Sequence, residues 1–190
     1  MRKKDFFTIP NIMGYFRILI IPVFLWLYYS ADCVKEYVVS FLVLAVSYLT
    51  DFFDGKIARK FNCVTELGKM LDPFADKLTQ CAIAVAVSFK VPAMIYFLTL
   101  FVCKEFYMGV MGVYLLKKYH VLHGAQLYGK AYTWVVDLGV MALLFFTNMP
   151  KNISNGILIF MIIVLIITWV LYLNFHLKVI KEEKKNAFRS

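Results

Sequence analysis

The stretch DFFDGKIARKFNCVTELGKMLDPFAD, residues 51–76, places four aspartates in an otherwise apolar chain. Asp51 and Asp54 are three residues apart, and Asp72 and Asp76 are four apart, so each pair shares one face of a helix. The basic and polar residues between the pairs allow the chain to turn back and set the two helices side by side. The sequence therefore predicts that four carboxylates meet near the end of a helical hairpin.

The overall composition is that of a membrane protein. Hydrophobic residues make up 62% of the 190 residues and charged residues only 17%, and the mean hydropathy is +0.71. A soluble domain of this length has too little interior for so much apolar surface. The four cysteines show neither paired nor metal-like spacing, which argues against a disulfide scaffold. We therefore expect one all-α integral membrane domain over residues 1–190.

Six segments are long and apolar enough to cross the hydrocarbon core, which takes about 20 residues. They cover roughly residues 13–30, 34–53, 69–89, 92–116, 126–148 and 154–177. A short amphipathic interfacial helix is expected before the first span, from Phe6 to Met13, anchored by Arg2, Lys3 and Lys4. A cleaved signal peptide is disfavoured because no A-x-A-like site follows the first apolar stretch.

The basic residues indicate the orientation. If both termini are cytoplasmic, most of the 21 Lys and Arg lie in cytoplasmic segments, and only Lys35, Lys90 and Lys151 lie in external ones. In a membrane protein, the net charge of +9 favours contact with anionic lipid over nucleic acid as a partner. The sequence thus predicts a multi-pass protein of the cell membrane with the aspartates on the cytoplasmic side.

The aspartates need a polar environment, because an ionisable side chain at the centre of a span costs about 2.5–3.5 kcal/mol. Four adjacent carboxylates also repel one another unless cations join them. Two divalent ions would balance Asp51, Asp54, Asp72 and Asp76, and an all-oxygen ligand set suits Mg²⁺ or Mn²⁺. Because paired metals usually serve displacement at phosphorus, we expect metal-assisted phosphoryl chemistry here.

The residues between the aspartates fit a phosphate-bearing substrate. Gly55, Ala58 and Gly68 are small and permit close approach of the backbone, and Arg59 can hold a phosphate through two parallel hydrogen bonds.

A second polar pocket is predicted from Lys104 and Glu105 in the fourth span and Lys130 early in the fifth. An acceptor substrate that carries a phosphate would need such cations, so Lys104 and Lys130 are candidate acceptor-binding residues. The alternative is that Lys104 only pairs with Glu105 or Asp137.

The full pattern is D-x-x-D-G-x-x-A-R, eight residues, then G-x-x-x-D-x-x-x-D, beginning at Asp51. It resembles, at all eight defined positions, the signature of the CDP-alcohol phosphotransferase family. The opening stretches, IPN at residues 9–11, RIL at 17–19 and IP at 21–22, are similar to bacterial phosphatidylglycerophosphate synthases and cardiolipin synthases. The resemblance covers most of the chain and implies a homodimer.

The resemblance implies a role for each motif residue. Asp51, Asp54, Asp72 and Asp76 would bind the metals that hold the diphosphate of CDP-diacylglycerol. Asp76 would also be the general base that takes the proton from the acceptor hydroxyl, after which CMP leaves. The remaining motif residues would line the CDP-lipid site: Gly55, Ala58, Arg59 and Gly68.

The acceptor is less sharply indicated. Residues 129–133, GKAYT, are similar to the G-K-x-K-T stretch of phosphatidylglycerophosphate synthases, but Tyr132 replaces the second Lys, and Lys104 stands where those enzymes usually have Arg. Glycerol 3-phosphate is the favoured acceptor. The alternatives are phosphatidylglycerol, as in cardiolipin synthesis, inositol phosphate and serine. A cation transporter is disfavoured, because its carboxylates would be spread near the midplane of several spans.

Overall fold

The computed structural model describes residues 8–60, 65–119, 126–146 and 149–187. Within these ranges the chain forms helices joined by turns, without strands, as the all-α prediction requires. The helices are α1 (Ile9–Tyr29), α2 (Val34–Lys60), α3 (Glu66–Ser88), α4 (Met94–Tyr119), α5 (Leu127–Phe145) and α6 (Lys151–Ala187).

Four helical stretches are long and apolar enough to cross a membrane: Ile9–Tyr29, Val34–Asp54, Met94–Tyr119 and Lys151–Glu183. The other two predicted spans correspond to α3 and α5, which do not meet this standard of length and apolar composition. Both are interrupted by charge, since α3 carries Asp72 and Asp76 and α5 carries Lys130 and Asp137. The chain is therefore an all-α membrane protein, and length and composition support four of the six predicted spans.

The predicted interfacial helix is not a separate element over the residues that the structure describes. Residues 9–13 form the first turns of α1, and the Ile12 N–H donates to the Thr8 carbonyl at 3.0 Å. Helical hydrogen bonding therefore runs unbroken from Thr8 into the span, and Pro10 sits in the first turn, where its missing N–H costs little. Phe6 and Phe7, the first two residues of the predicted interfacial helix, lie outside the described residues.

The chain divides into two compact units, Met1–Phe89 and Lys90–Ser190. In the first unit α1 packs against α2 and α3. The buried side of α1 carries two polar side chains, Asn11 and Arg17, whereas large apolar side chains such as Leu19 and Trp26 are exposed. This polar-inside, apolar-outside arrangement is expected of a helix in lipid that helps to build a polar site.

In the second unit α6 packs against both α4 and α5. Buried side chains recur along α6 every three or four residues: Leu158, Met161, Leu165, Thr168, Tyr172, His176 and Val179. Gly129 and Gly139 of α5 face this row, and small residues let neighbouring membrane helices approach closely. A Cβ atom at Gly129 would overlap the Tyr172 hydroxyl and lie 3.0 Å from its Cζ atom.

Gly129→Ala should lower the thermal unfolding temperature of the protein in detergent micelles. The added methyl group meets a rigid ring of α6, and overpacking of this kind costs about 1–3 kcal/mol. Gly112→Ala is the matched control, because among the described residues no atom outside the local backbone of α4 lies within 4 Å of a Cβ at that position. It should unfold at the wild-type temperature or slightly above, and equal unfolding temperatures for the two variants would contradict the packing described.

Candidate active site

One guanidinium joins the four motif aspartates. Arg17 Nη1 donates to Asp51 Oδ1 and, at 2.9 Å, to Asp76 Oδ1. Its Nη2 lies 3.3 Å from Asp54 Oδ2 and 3.5 Å from Asp72 Oδ1. The three helices of the first unit therefore meet at this point, with α1 supplying the cation and α2 and α3 two carboxylates each.

The cluster is closed on one side and open on the other. The side chains of Arg17 and Asp54 are 2% and 4% exposed, respectively. Asp51, Asp72 and Asp76 are exposed by 42%, 47% and 52%. Three of the four carboxylates can thus be reached by a substrate or ion from the open side.

The charges of the cluster do not balance. A single guanidinium faces four carboxylates, so negative charge remains in excess when all four are ionised. In addition, the buried Nε–H of Arg17 has no hydrogen-bond partner among the described residues, and a buried unsatisfied donor costs about 1–3 kcal/mol. Arg17 is therefore held by Coulomb attraction to the carboxylates, with part of its hydrogen-bonding capacity unused.

The donor set suits a hard divalent cation, because all four candidate ligands are carboxylates and carry excess negative charge. In the described part of the chain, no three acidic, Cys or His side chains are close enough to ligate a metal as they stand. The carboxylates surround the Arg17 guanidinium instead. By chemistry and charge the residues fit Mg²⁺ or Mn²⁺, and they would have to close in on the ions.

The other motif residues lie on the helices that carry the aspartates. Gly55, Ala58 and Arg59 continue α2 beyond Asp54, although their side chains are outside the described residues. Gly68 lies in the first turn of α3 and is buried.

A hydrogen-bond network fixes the start of α3. Thr65 caps this helix by accepting from the Gly68 N–H at 3.0 Å, and Asn11 Nδ2 donates to the same hydroxyl at 3.0 Å. A Cβ atom at Gly68 would lie 2.8 Å from Asn11 Oδ1, so a larger residue would collide with this network. Because Asp72 is one turn of helix beyond Gly68, the network positions the carboxylates of α3 against α1.

The two predicted acceptor-binding residues both lie in the second unit, but one is buried and the other is exposed. Lys104 is buried, and its Nζ lies 2.7 Å from Glu105 Oε1 and 4.3 Å from the centre of the Tyr132 ring. Lys130 is exposed on α5. At the position where the similar motif has a second Lys, this chain therefore packs an aromatic ring against Lys104.

A family model described as CDP-alcohol phosphatidyltransferase matches residues 7–176. The chain belongs to this family. The match confirms the resemblance carried by the aspartate motif and covers both units of the CDP-alcohol phosphatidyltransferase chain.

Three curated relatives with two different enzyme names are similar to this chain. The CDP-diacylglycerol–glycerol-3-phosphate 3-phosphatidyltransferase of Aquifex aeolicus is 28% identical over 173 residues, covering 87% of this chain and 93% of that protein. The protein of the same name from Rickettsia typhi is 46% identical over 71 residues, so the match spans only 39% of its length and 37% of this chain. A cardiolipin synthase (CMP-forming) of Streptomyces coelicolor is 38% identical over 85 residues, or 44% of this chain and 40% of that protein.

Sequence reasoning missed Arg17 and Asn11 as parts of the site. A signal for Arg17 was present, since a guanidinium within a span is as costly as a carboxylate and needs an anionic partner. Its partners could not be named, because the period of an apolar helix does not reveal which face meets which neighbour.

Thr65→Val should lower the free energy of unfolding by about 0.5–2 kcal/mol, the usual cost of losing an N-cap hydroxyl. Valine keeps the shape of the side chain but neither caps α3 nor accepts from Asn11. Thr65→Ser retains the hydroxyl and should stay near wild type. Denaturation followed by intrinsic fluorescence compares the three proteins, and equal stability of the Val and Ser variants would rule out the capping role.

Proposed function

We propose that this protein transfers the phosphatidyl group of CDP-diacylglycerol to glycerol 3-phosphate, releasing CMP and forming phosphatidylglycerophosphate in phospholipid biosynthesis. The convergence of the four motif carboxylates, from two helices, on one partly open point carries this proposal. Family membership supports the reaction class. The name of the Aquifex relative, which is similar over most of its length, supports the acceptor.

Asp51, Asp54, Asp72 and Asp76 would hold two Mg²⁺ or Mn²⁺ ions, which when bound stabilise the charge of the diphosphate and of the departing CMP. Asp76 accepts the proton of the acceptor hydroxyl, and its half-exposed carboxylate leaves room for that group. The acceptor oxygen then forms a bond to the phosphorus of the phosphatidyl group. The bond between this phosphorus and the oxygen of CMP breaks, and CMP carries away the electron pair.

The CDP-lipid is proposed to lie along the end of α2 and the start of α3. Gly55, Ala58 and Gly68 present little side-chain volume, so the backbone can approach the nucleotide and diphosphate, and Arg59 supplies a forked phosphate contact. The collision that a Cβ at Gly68 would make with Asn11 supports a requirement for glycine there.

Lys104 and Lys130 are proposed to bind the acceptor: a phosphate would share the buried ammonium of Lys104 with Glu105 and would meet the exposed ammonium of Lys130. One observation favours a second candidate: the name of the Streptomyces relative is cardiolipin synthase, which points to phosphatidylglycerol as the acceptor. Inositol phosphate and serine are further acceptors to be compared.

The proposed topology has six spans in the cell membrane, with both termini and the active site on the cytoplasmic side. The four apolar helices and the excess of basic residues in the predicted cytoplasmic segments support it. In this topology α3 and α5 also cross the membrane, although each carries charged residues. A homodimer is proposed from the family resemblance.

The function is tested by measuring CMP release from CDP-diacylglycerol by the purified protein with Mg²⁺ or Mn²⁺. The acceptor panel contains glycerol 3-phosphate, phosphatidylglycerol, inositol 1-phosphate and serine. We expect release with glycerol 3-phosphate that EDTA abolishes. Release with phosphatidylglycerol alone would replace the proposed acceptor, and metal-independent release would contradict the proposed mechanism.

Asp76→Asn should lower kcat by about 10²–10⁴-fold, the usual contribution of a general base, while CDP-diacylglycerol still binds. The other three proposed metal ligands, Asp51, Asp54 and Asp72, are unchanged in this variant. Asp32→Asn is the control, because Asp32 is an exposed residue between α1 and α2. Loss of turnover with retained CDP-lipid binding would support Asp76 as the general base. Substantial turnover in Asp76→Asn would show that Asp76 is not the general base.

Lys130→Ala should raise the KM for glycerol 3-phosphate by roughly tenfold or more, in line with the loss of a hydrogen bond to a charged group. The KM for CDP-diacylglycerol should change little. Lys151→Ala removes an equally exposed cation at the start of α6 and serves as the control. An equal rise in both KM values for Lys130→Ala would show that Lys130 does not select the acceptor.

A further inference from the structure

We infer that Arg17 is an exchangeable counter-ion: it offsets part of the negative charge of the aspartate cluster when no metal is bound, and it leaves the carboxylates when divalent cations bind. This inference rests on the proposed function, because it concerns the four aspartates proposed as metal ligands. Arg17 lies outside the aspartate motif, and its contacts with the carboxylates would set the affinity of the site for metal.

The geometry favours an exchange. The carboxylate oxygens that a divalent ion would need include Asp51 Oδ1 and Asp76 Oδ1, which both accept from Arg17 Nη1. Asp54 and Asp72 are within 3.5 Å of Nη2. The guanidinium therefore lies where the four carboxylates converge, and cations that bind at this point would compete with it for the same oxygens.

Two features of Arg17 favour its release. Its Nε–H has no hydrogen-bond partner among the described residues, so the guanidinium does not use its full set of donors in the cluster. Its single charge also balances four carboxylates less well than divalent cations would.

A released guanidinium stays near the site, because the side chain is almost fully buried and α1 is packed against α2 and α3. The phosphates of the bound substrate would offer it a new anionic partner that matches its forked geometry. Arg17 thus acts as a positioning residue that exchanges carboxylates for phosphate when the site is loaded.

The exchange makes a thermodynamic prediction that activity alone does not test. If Arg17 stabilises only the metal-free form, replacing it must weaken that form and tighten metal binding by the same factor. If Arg17 kept its contacts in both forms, its replacement would destabilise both equally.

The test compares wild type with Arg17→Met, which removes the charge, and Arg17→Lys, which keeps the charge but loses the fork. Mn²⁺ binding is measured by electron paramagnetic resonance of the free ion. Thermal unfolding is measured in detergent micelles with EDTA and with saturating Mn²⁺. Lys56→Gln is the matched control, since it removes an exposed cation of α2, near Asp54, that lies over the Phe52 ring.

For Arg17→Met we expect the Kd for Mn²⁺ to fall on the order of tenfold, within the range usual for coupled sites. Its unfolding temperature should drop in EDTA and return toward wild type with Mn²⁺. Lys56→Gln should leave the Kd nearly unchanged, which would exclude a general effect of charge. If Arg17→Met does not fold, Arg17→Lys carries the test and should also bind Mn²⁺ more tightly than wild type.

The inference is overturned if the folded Arg17 variants bind Mn²⁺ no more tightly than wild type, or if Arg17→Met is destabilised equally with and without metal. An equal tightening in Lys56→Gln would also overturn it. In all these cases wild type still binds Mn²⁺, so the proposed metal site stands. A folded wild-type protein that binds no Mn²⁺ would refute the metal site and the inference together.

Discussion

The ion pairs between Arg17 and the four aspartates are the interaction on which the first unit depends. In an apolar chain each of these charges is costly alone, at about 2.5–3.5 kcal/mol at the centre of a span. Together they form one polar site that draws α1, α2 and α3 to a common point. Removing one partner of a buried ion pair leaves the other charge uncompensated. This lowers the stability of the fold far more than replacing both partners with well-packed apolar residues. The site is thus also a structural element of this unit.

Close helix contacts give that site its geometry. A Cβ at Gly14 would lie 2.6 Å from Leu71 Cδ2, so the absence of a side chain lets α1 approach α3. At the start of α3, Asn11 and Thr65 hold the first turn through shared hydrogen bonds. These contacts bring Arg17 within reach of carboxylates that lie 34 to 59 residues further along the chain.

Much of this arrangement could be predicted from the sequence, since the i, i+3 and i, i+4 spacings place each aspartate pair on one helix face whatever the tertiary structure. The same residues also carried the resemblance to the family. The partner of the aspartates could not be predicted, because the periodicity of a largely apolar helix carries no information on which helices pack together. Over the described residues the predicted interfacial helix is not separate from the span, because the residues from Ile9 onward belong to α1. Lys104 pairs with Glu105, which the sequence had left open as an alternative to acceptor binding, and its contact with the Tyr132 ring could not be predicted because it depends on packing between helices.

We propose that the four aspartates together hold two divalent cations at one site. The most direct measurement is the number of Mn²⁺ ions bound per chain, with the electron paramagnetic resonance spectrum of the bound ions. The account predicts two ions per chain, a spectrum showing magnetic coupling between close neighbours, and loss of that coupling in Asp54→Asn. Binding of a single uncoupled ion, or a coupled pair that persists in Asp54→Asn, would contradict it.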